Sequence, residues 1–119
     1  MIERLDISGV HLRVDDDLRK YVHKKVGHLD RYIPKHSRLS VRVEVRLKES
    51  KAKDKKECTC ETVLYLPHEV ISVRESTVNM YAAVDIAEAK LKSQLKKYKS
   101  LYANPKLHRR LLLRVRREA

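Results

Sequence analysis

Residues 39–49, LSVRVEVRLKE, alternate apolar and charged side chains more regularly than any other part of the chain. Val41, Val43, Val45 and Leu47 share one side, and the charged residues between them share the other. This period of two, with β-branched residues at most apolar positions, predicts a strand with one buried and one exposed face. A sheet that contains such a strand needs a second layer of structure on its apolar face.

Three further segments have the residue types of strands. They are residues 2–8, 58–66 and 69–76. Gly9 ends the first of them, and a turn at Pro67 and His68 separates the last two. The charged segment SKAKDKKE, residues 50–57, predicts a flexible hairpin loop between the central strands.

The segment 79–99 has the spacing of a helix with one buried face. Its apolar residues are Met80, Ala83, Val84, Ala87, Leu91, Leu95 and Tyr98. We expect Asn79 to cap the start of this helix, and Asn104 with Pro105 to stop it.

A first helix is predicted from the acidic run that begins at Asp15. A side chain of this run, most simply that of Asp15, caps the free N–H groups, and the negative charges favour the positive end of the helix dipole. The apolar stripe that follows is Leu18, Tyr21, Val22, Val26 and Leu29, continuing towards Tyr32. Pro34 marks its end.

The order β-α-β-β-β-α indicates an α+β fold. Two amphipathic helices and a half-buried sheet bury their apolar surfaces economically as a two-layer sandwich, with both helices on one face of a four-stranded sheet. The first two strands are parallel if they are neighbours, and strands two to four form an antiparallel meander. We expect this domain to span residues 1–102, and a basic extension, either helical or disordered, to span residues 103–119.

The chain carries a large positive charge. It has 119 residues, with 28 Lys and Arg against 16 Asp and Glu, which gives a formal net charge of +12. Both the domain and the extension contribute to the excess. The natural partners are polyanions, with nucleic acid first and an anionic membrane surface second.

The sequence predicts neither export nor a membrane span. The N-terminus MIERLDISG mixes acids with apolar residues, and no apolar run approaches the ~20 residues that cross a bilayer. We therefore expect a cytoplasmic protein in which Cys58 and Cys60 stay reduced. Both would point to one face of a strand. With only His68 nearby as a further ligand, core thiols are favoured over a metal site.

Basic residues gather on the exposed sides of both predicted helices. At about 100° per residue, one flank of the second helix carries Lys90 and Lys97, and the other carries Lys92, Lys96 and Lys99. The exposed side of the first helix carries Lys20, Lys24 and Arg31, flanked by Arg19 and by His28. If the helices are neighbours, we expect one shared groove lined by the pair Lys90 and Lys97 and the row Lys24, His28 and Arg31. A set of like charges with so few acids between them favours a nucleic-acid surface over simple solubilisation.

The composition also restricts the kind of nucleic acid. Without Phe or Trp, and with most tyrosines at core spacing, a platform that stacks single-stranded bases is disfavoured. The remaining mode of nucleic-acid binding is recognition of the phosphate backbone and of shape, which suits structured RNA. Two glycines and no nucleophile motif give no support for catalysis, so we expect no enzyme, cofactor, metal or small-molecule substrate.

Both helices resemble those of a known family, the ribosome hibernation-promoting factors, also called ribosome-associated inhibitors or ribosomal subunit interface proteins. In NMYAAVDIAEAKLKSQLKKYK the residues similar to the family signature are Met80, Tyr81, Ala83, Val84, Asp85, Lys90, Leu91, Gln94, Leu95 and Lys97. In VDDDLRKYVHKKVGHLDRYI they are Leu18, Arg19, Val22, Lys25, Leu29 and Arg31. The resemblance covers residues 1–102.

The resemblance implies a fold similar to a double-stranded-RNA-binding domain with an added first strand. It implies a partner, the small subunit of the 70S ribosome, bound through ribosomal RNA in the channel between head and body. There the protein would overlap mRNA and the A- and P-site tRNAs and stop translation in idle ribosomes. By the same resemblance, Lys90 and Lys97 would contact rRNA phosphates, joined by Lys25 and Arg31.

Two other functions are compatible with the residues. A general double-stranded-RNA binder or RNA chaperone would use the same charges without preferring ribosomes. A membrane-surface or protein-docking module would instead depend on the Leu-rich basic extension.

Overall fold

A computed structural model describes residues 2–52 and 55–102 of the chain. The helices and strands are β1 (Arg4–Val10), α1 (Asp16–Gly27), β2 (Arg42–Ala52), β3 (Lys55–Leu66), β4 (Glu69–Thr77) and α2 (Met80–Tyr102). Two short 3-10 segments, His28–Tyr32 and Lys35–Ser40, connect α1 to β2. The predicted order β-α-β-β-β-α is therefore confirmed. The predicted extension 103–119 lies outside the described residues.

The four strands form one mixed sheet in the order β1-β2-β3-β4. β1 runs parallel to β2, while the β2–β3 and β3–β4 pairs are antiparallel. Both pairing directions match the prediction, because α1 provides the long crossover that a parallel pair requires and short links join the other strands.

The core lies between one face of this sheet and the two helices. Val43, Val45 and Leu47 of β2 are buried, and they belong to the same apolar cluster as Val22 of α1 and Leu91 of α2. The alternate β2 residues are exposed or half-buried, so the second face of the sheet has no layer over it in the described part of the chain. Both helices therefore pack on one face.

Side chains cap the start of each helix as the sequence predicts. The Leu18 N–H donates to Asp15 Oδ1 at 2.7 Å, and the Tyr81 N–H donates to Asn79 Oδ1 at 2.8 Å. Each bond satisfies a backbone donor that the first turn of a helix leaves free. These caps fix where α1 and α2 begin, and so which residues face the core.

The first strand does not end at Gly9, as the sequence had suggested. β1 continues to Val10, and Gly9 pairs with Leu47 of β2. A Cβ atom at Gly9 would lie 2.2 Å from the carbonyl oxygen of Leu12, so the glycine allows the following turn to fold back against the strand. The turn itself begins at His11, which has a positive φ of 55°.

The predicted hairpin loop is also wrong, because the central strands extend through most of residues 50–57. Ser50 pairs with Glu57, and the ladder continues to Ala52 opposite Lys55. At this end of the hairpin the side chains on both faces of the sheet are accessible to solvent, so charged residues are tolerated there. The backbone hydrogen bonds between β2 and β3 therefore continue through this charged segment. An ion pair of 3.4 Å between Lys56 Nζ and Glu49 Oε1 spans the two strands there.

The start of β2 differs as well. The second 3-10 segment includes Leu39, whose side chain is 82% exposed, and β2 begins only at Arg42. Leu39 continues the apolar alternation of β2 in the sequence, but it lies in the 3-10 segment and not in the strand. A hydrogen bond from the Ser37 N–H to the Pro34 carbonyl closes the turn at the start of that segment.

Both cysteines are free thiols in the core, as predicted. Cys58 and Cys60 are buried on the helix side of β3, and burial raises the pKa of the Cys60 thiol. Within residues 2–52 and 55–102, no cluster of His, Cys, Asp and Glu is suited to a metal ion. None of the helices described there has the length and apolar content needed to cross a membrane.

Candidate nucleic-acid interface

The two helices contact each other through a polar cluster centred on Asp85 of α2. The Tyr21 hydroxyl donates a hydrogen bond to Asp85 Oδ1, and Lys25 Nζ lies 3.6 Å from the same oxygen. The Tyr21 ring also meets the Tyr81 ring edge-on, with centroids 4.9 Å apart. The prediction that the helices lie side by side is confirmed.

This cluster changes the titration of Tyr21. The hydrogen bond to the Asp85 carboxylate, followed by desolvation, raises the pKa of Tyr21 from 10.0 to about 12. The bond requires the phenol to keep its proton, and ionisation would place two negative charges together. Tyr21 therefore donates to Asp85 throughout the neutral pH range.

A second contact joins α2 to the 3-10 segment that follows α1. Lys92 Nζ lies 5.3 Å from the centre of the Tyr32 ring, and the Arg31 guanidinium lies 5.6 Å from the same ring. An aromatic ring attracts cations over its face, so Tyr32 holds two basic side chains close together without neutralising either. The flank of α2 that carries Lys92 therefore faces α1.

The opposite flank of α2 faces β4. Lys90 forms an ion pair with Glu75, which lies on the inner face of β4 with its side chain 15% exposed. The prediction of a groove between the pair Lys90 and Lys97 and the row Lys24, His28 and Arg31 is therefore wrong, and His28 and Arg31 lie in the 3-10 segment after α1. The spacing of residues assigns them correctly to two flanks of a helix, but it does not say which neighbour lies beside each flank.

We use the name cationic helix surface for the outward side of the helix layer. It comprises Arg19, Lys20, Lys24, Lys25, His28, Arg31, Lys92, Lys96, Lys97 and Lys99, with Lys90 at its β4 edge. Of these residues, only Lys25 and Lys90 have a carboxylate partner in the part of the chain that the structure describes. The surface therefore keeps most of its positive charge.

The uncovered face of the sheet has a different electrostatic character. Glu61 pairs with both Arg46 at 4.0 Å and Arg74 at 3.6 Å, and Arg42 pairs with Glu44 at 3.7 Å. The shallow cavity there, of about 480 Å³, includes three acids among its lining residues, Asp6, Ser8, Glu44, Val45, Arg46, Glu61, Val63 and Tyr65. Positive charge is thus concentrated on the helix side of the molecule.

Three residues that organise the interface were not among the predicted site residues. They are Asp85, Tyr32 and Glu75. The sequence does hold a signal for Glu75, because it continues the inward alternation of Ile71 and Val73 and an acid at such a position needs a cationic partner. No pattern in the sequence indicates that Tyr32 lies beneath Lys92, since that contact depends on the path of the 3-10 segment.

Comparisons with known proteins agree with this architecture. A sequence model of the family described as Sigma 54 modulation protein / S30EA ribosomal protein matches residues 5–101. A protein of Deinococcus radiodurans named ribosome hibernation promotion factor is 32% identical over 96 residues, which are 81% of this chain and 49% of that protein. A protein of the same name from Lactococcus lactis is 28% identical over 97 residues, 82% of this chain and 50% of that protein. The chain thus spans about half the length of these relatives.

Solved structures share the fold. The N-terminal domain of Protein Y from Thermus thermophilus superposes with a TM-score of 0.66 at 30% identity, covering 78% of this chain and 94% of that domain. A ribosomal subunit interface protein from Coxiella burnetii gives a TM-score of 0.64 at 24% identity, covering 81% of this chain and 97% of that protein.

Proposed function

This chain belongs to the Sigma 54 modulation protein / S30EA ribosomal protein family, and we propose that it is a ribosome hibernation factor. In this proposal it binds ribosomal RNA in the decoding channel of the small subunit, in the cytoplasm. Its presence there excludes mRNA and the A- and P-site tRNAs, and translation in idle ribosomes stops. The action is occlusion by charge and shape, without catalysis or a cofactor.

One observation carries the proposal beyond family membership, namely the unequal distribution of charge over the two layers. The cationic helix surface has few acids, whereas three arginines on the uncovered sheet face, Arg42, Arg46 and Arg74, are paired with glutamates. A polyanion therefore gains most by contacting the helix side. Folded RNA fits this surface, because the contacts required are with phosphates and no base-stacking platform is needed.

The spacing of the basic residues suits a phosphate backbone. Lys92 and Lys99 lie on one flank of α2 two turns apart, about 10 Å along the axis. Lys24 is an exposed residue of α1 that lies about one turn after Tyr21, which contacts Asp85 of α2. We assign phosphate contacts to these lysines and to Arg19, Lys20, His28, Arg31, Lys96 and Lys97, whereas Lys90 is shared with Glu75.

The test is co-sedimentation of the protein with purified small subunits at fixed low salt. We expect Lys24→Glu with Lys96→Glu to weaken binding by about tenfold or more, because two attractive phosphate contacts become repulsive. Neither lysine has an acidic partner among residues 2–52 and 55–102, so the fold should tolerate both changes. Lys90 is unsuitable for this test, because reversing it would place two carboxylates together beside the core.

A matched control has the same change in net charge. Arg4→Glu with Lys48→Glu alters two exposed residues on the uncovered sheet face, and we expect near-native affinity. If both double variants lose affinity equally, net charge rather than the cationic helix surface governs binding, and the assignment fails.

The second candidate, a general double-stranded-RNA binder or RNA chaperone, is favoured by the same lack of base-reading residues. It predicts that an arbitrary RNA duplex competes with small subunits at comparable concentration. Under the ribosomal proposal, duplex should compete poorly, while tRNA bound in the A and P sites should compete well.

A further inference from the structure

Asp85 is an acid placed within a surface that we propose to contact RNA. Its side chain is 49% exposed, so solvent and a bound polyanion both reach it. A carboxylate there repels phosphates and reduces the positive potential of the cationic helix surface. Simple electrostatics would therefore favour almost any neutral residue at this position.

The contacts of Asp85 suggest what offsets this cost. It is the shared acceptor for two side chains of α1, the Tyr21 hydroxyl and the Lys25 ammonium group. Lys25 also lies 5.7 Å from the centre of the Tyr21 ring, so the three groups form one network between the helices. The buried stripes pack each helix against the sheet, and this network adds a polar contact between α1 and α2 themselves.

A further contact, between Lys92 of α2 and Tyr32 of the segment after α1, lies two turns further along α2, about 10 Å away. The first contact joins α2 to α1, and the second joins α2 to the 3-10 segment that continues from α1. The basic residues on the two helices are thereby held in a constant arrangement.

We propose that Asp85 is a positioning residue for RNA binding, which holds the basic side chains of α1 in register with those of α2. The inference depends on the proposed function, since it explains how that surface is kept in shape. For the affinity of the protein for ribosomes after loss of Asp85, it predicts a change opposite to the one that electrostatics alone predicts. Removing this acid should weaken ribosome binding even though the protein becomes more positive.

Glu88 provides the matched control. It lies one turn after Asp85 on the same flank of α2, and it has no hydrogen bond or ion pair among the described residues. Asp85→Ala and Glu88→Ala each remove one negative charge from this flank. We expect Glu88→Ala to bind small subunits as tightly as the wild-type chain or tighter, and Asp85→Ala to bind about threefold to tenfold more weakly, a usual range for coupled side chains.

Two further variants separate positioning from charge. Tyr21→Phe leaves the net charge unchanged and removes the hydroxyl that Asp85 accepts, so it should weaken binding in the same direction as Asp85→Ala. Asp85→Glu retains the carboxylate and should restore most of the affinity. If Asp85→Ala instead binds as tightly as Glu88→Ala, the carboxylate acts only as a charge and the inference is overturned.

Amide hydrogen exchange tests the inference without ribosomes. Residues of α1 should exchange faster in Asp85→Ala and Tyr21→Phe than in Glu88→Ala, while the interior strands β2 and β3 remain protected. Equal exchange in all three variants would contradict a positioning role. If the wild-type chain does not bind ribosomes, the proposed function fails, whereas the exchange measurement still decides whether Asp85 holds the helices together.

Discussion

Tyr21 of α1 contacts α2 through both its ring and its hydroxyl. Its ring packs against Tyr81, and its hydroxyl reaches the carboxylate of Asp85 on the neighbouring helix. Sequence spacing places Tyr21 on the apolar stripe of α1, but it gives no reason to expect an acidic partner sixty-four residues away. The contact exists because the sheet brings α1 and α2 together.

The pKa of Tyr21 gives a prediction at this scale. Because the folded pKa of about 12 is above the ordinary value of 10.0, the stabilisation from this bond is fully present below pH 10 and is lost as the pH rises towards 12. We expect the ultraviolet absorbance of tyrosinate to show one phenol ionising near pH 12 in the wild-type chain. In Asp85→Ala that phenol should titrate closer to pH 10. Superimposable titration curves for the two proteins would contradict the hydrogen bond.

At the scale of elements, the C-terminal end of α2 is anchored to the turn between β3 and β4. The hydroxyl of Tyr98, a residue only 1% exposed, donates to the Pro67 carbonyl at 2.6 Å. The Tyr102 ring stacks on His68, with centroids 5.2 Å apart. His68 has a positive φ of 74°, which marks the tight turn that brings the Pro67 carbonyl within reach.

We expect Tyr98→Phe to lower the free energy of unfolding by about 1 kcal/mol, because the ring stays packed while the half-buried Pro67 carbonyl loses its donor. Urea denaturation measures this change. Tyr81→Phe is the control, since the Tyr81 side chain is 40% exposed and its hydroxyl makes no hydrogen bond in the described part of the chain. A loss in Tyr98→Phe no larger than that in Tyr81→Phe would rule out the anchor.

The elements also show which structural features the sequence could predict. Both helix caps, the buried stripe of α2 and the inward residues of β2 follow from local chemistry and periodicity, so they were predicted correctly. The extent of the β2–β3 hairpin was not, because backbone pairing between strands continues without regard to the charged side chains of residues 50–57. The structure places Lys90 beside β4 and not beside α1. The helical periodicity of α2 cannot predict this, because it does not say which neighbouring element lies along each flank.

For the whole molecule, the separation of charge between its two layers follows from how each layer satisfies its polar residues. On the uncovered sheet face, side chains of neighbouring strands stand opposite one another, so Arg46 and Arg74 can both reach Glu61. On α2, no acid follows Glu88, so Lys96 and Lys99 have no carboxylate within reach along the helix. Ion pairs therefore offset part of the positive charge on the sheet face, whereas most basic residues of the cationic helix surface have no such partner in the described part of the chain.

This division predicts the salt dependence of ribosome binding. If about six phosphates are neutralised, the logarithm of the association constant should fall by about four to five for each tenfold rise in salt. Lys24→Glu with Lys96→Glu should reduce that slope by about two, because each lysine lost is one phosphate contact fewer. Arg4→Glu with Lys48→Glu should leave the slope unchanged, since it alters only the sheet face. Sedimentation across a salt series measures all three slopes, and a wild-type affinity independent of salt would show that phosphates are not what the cationic helix surface binds.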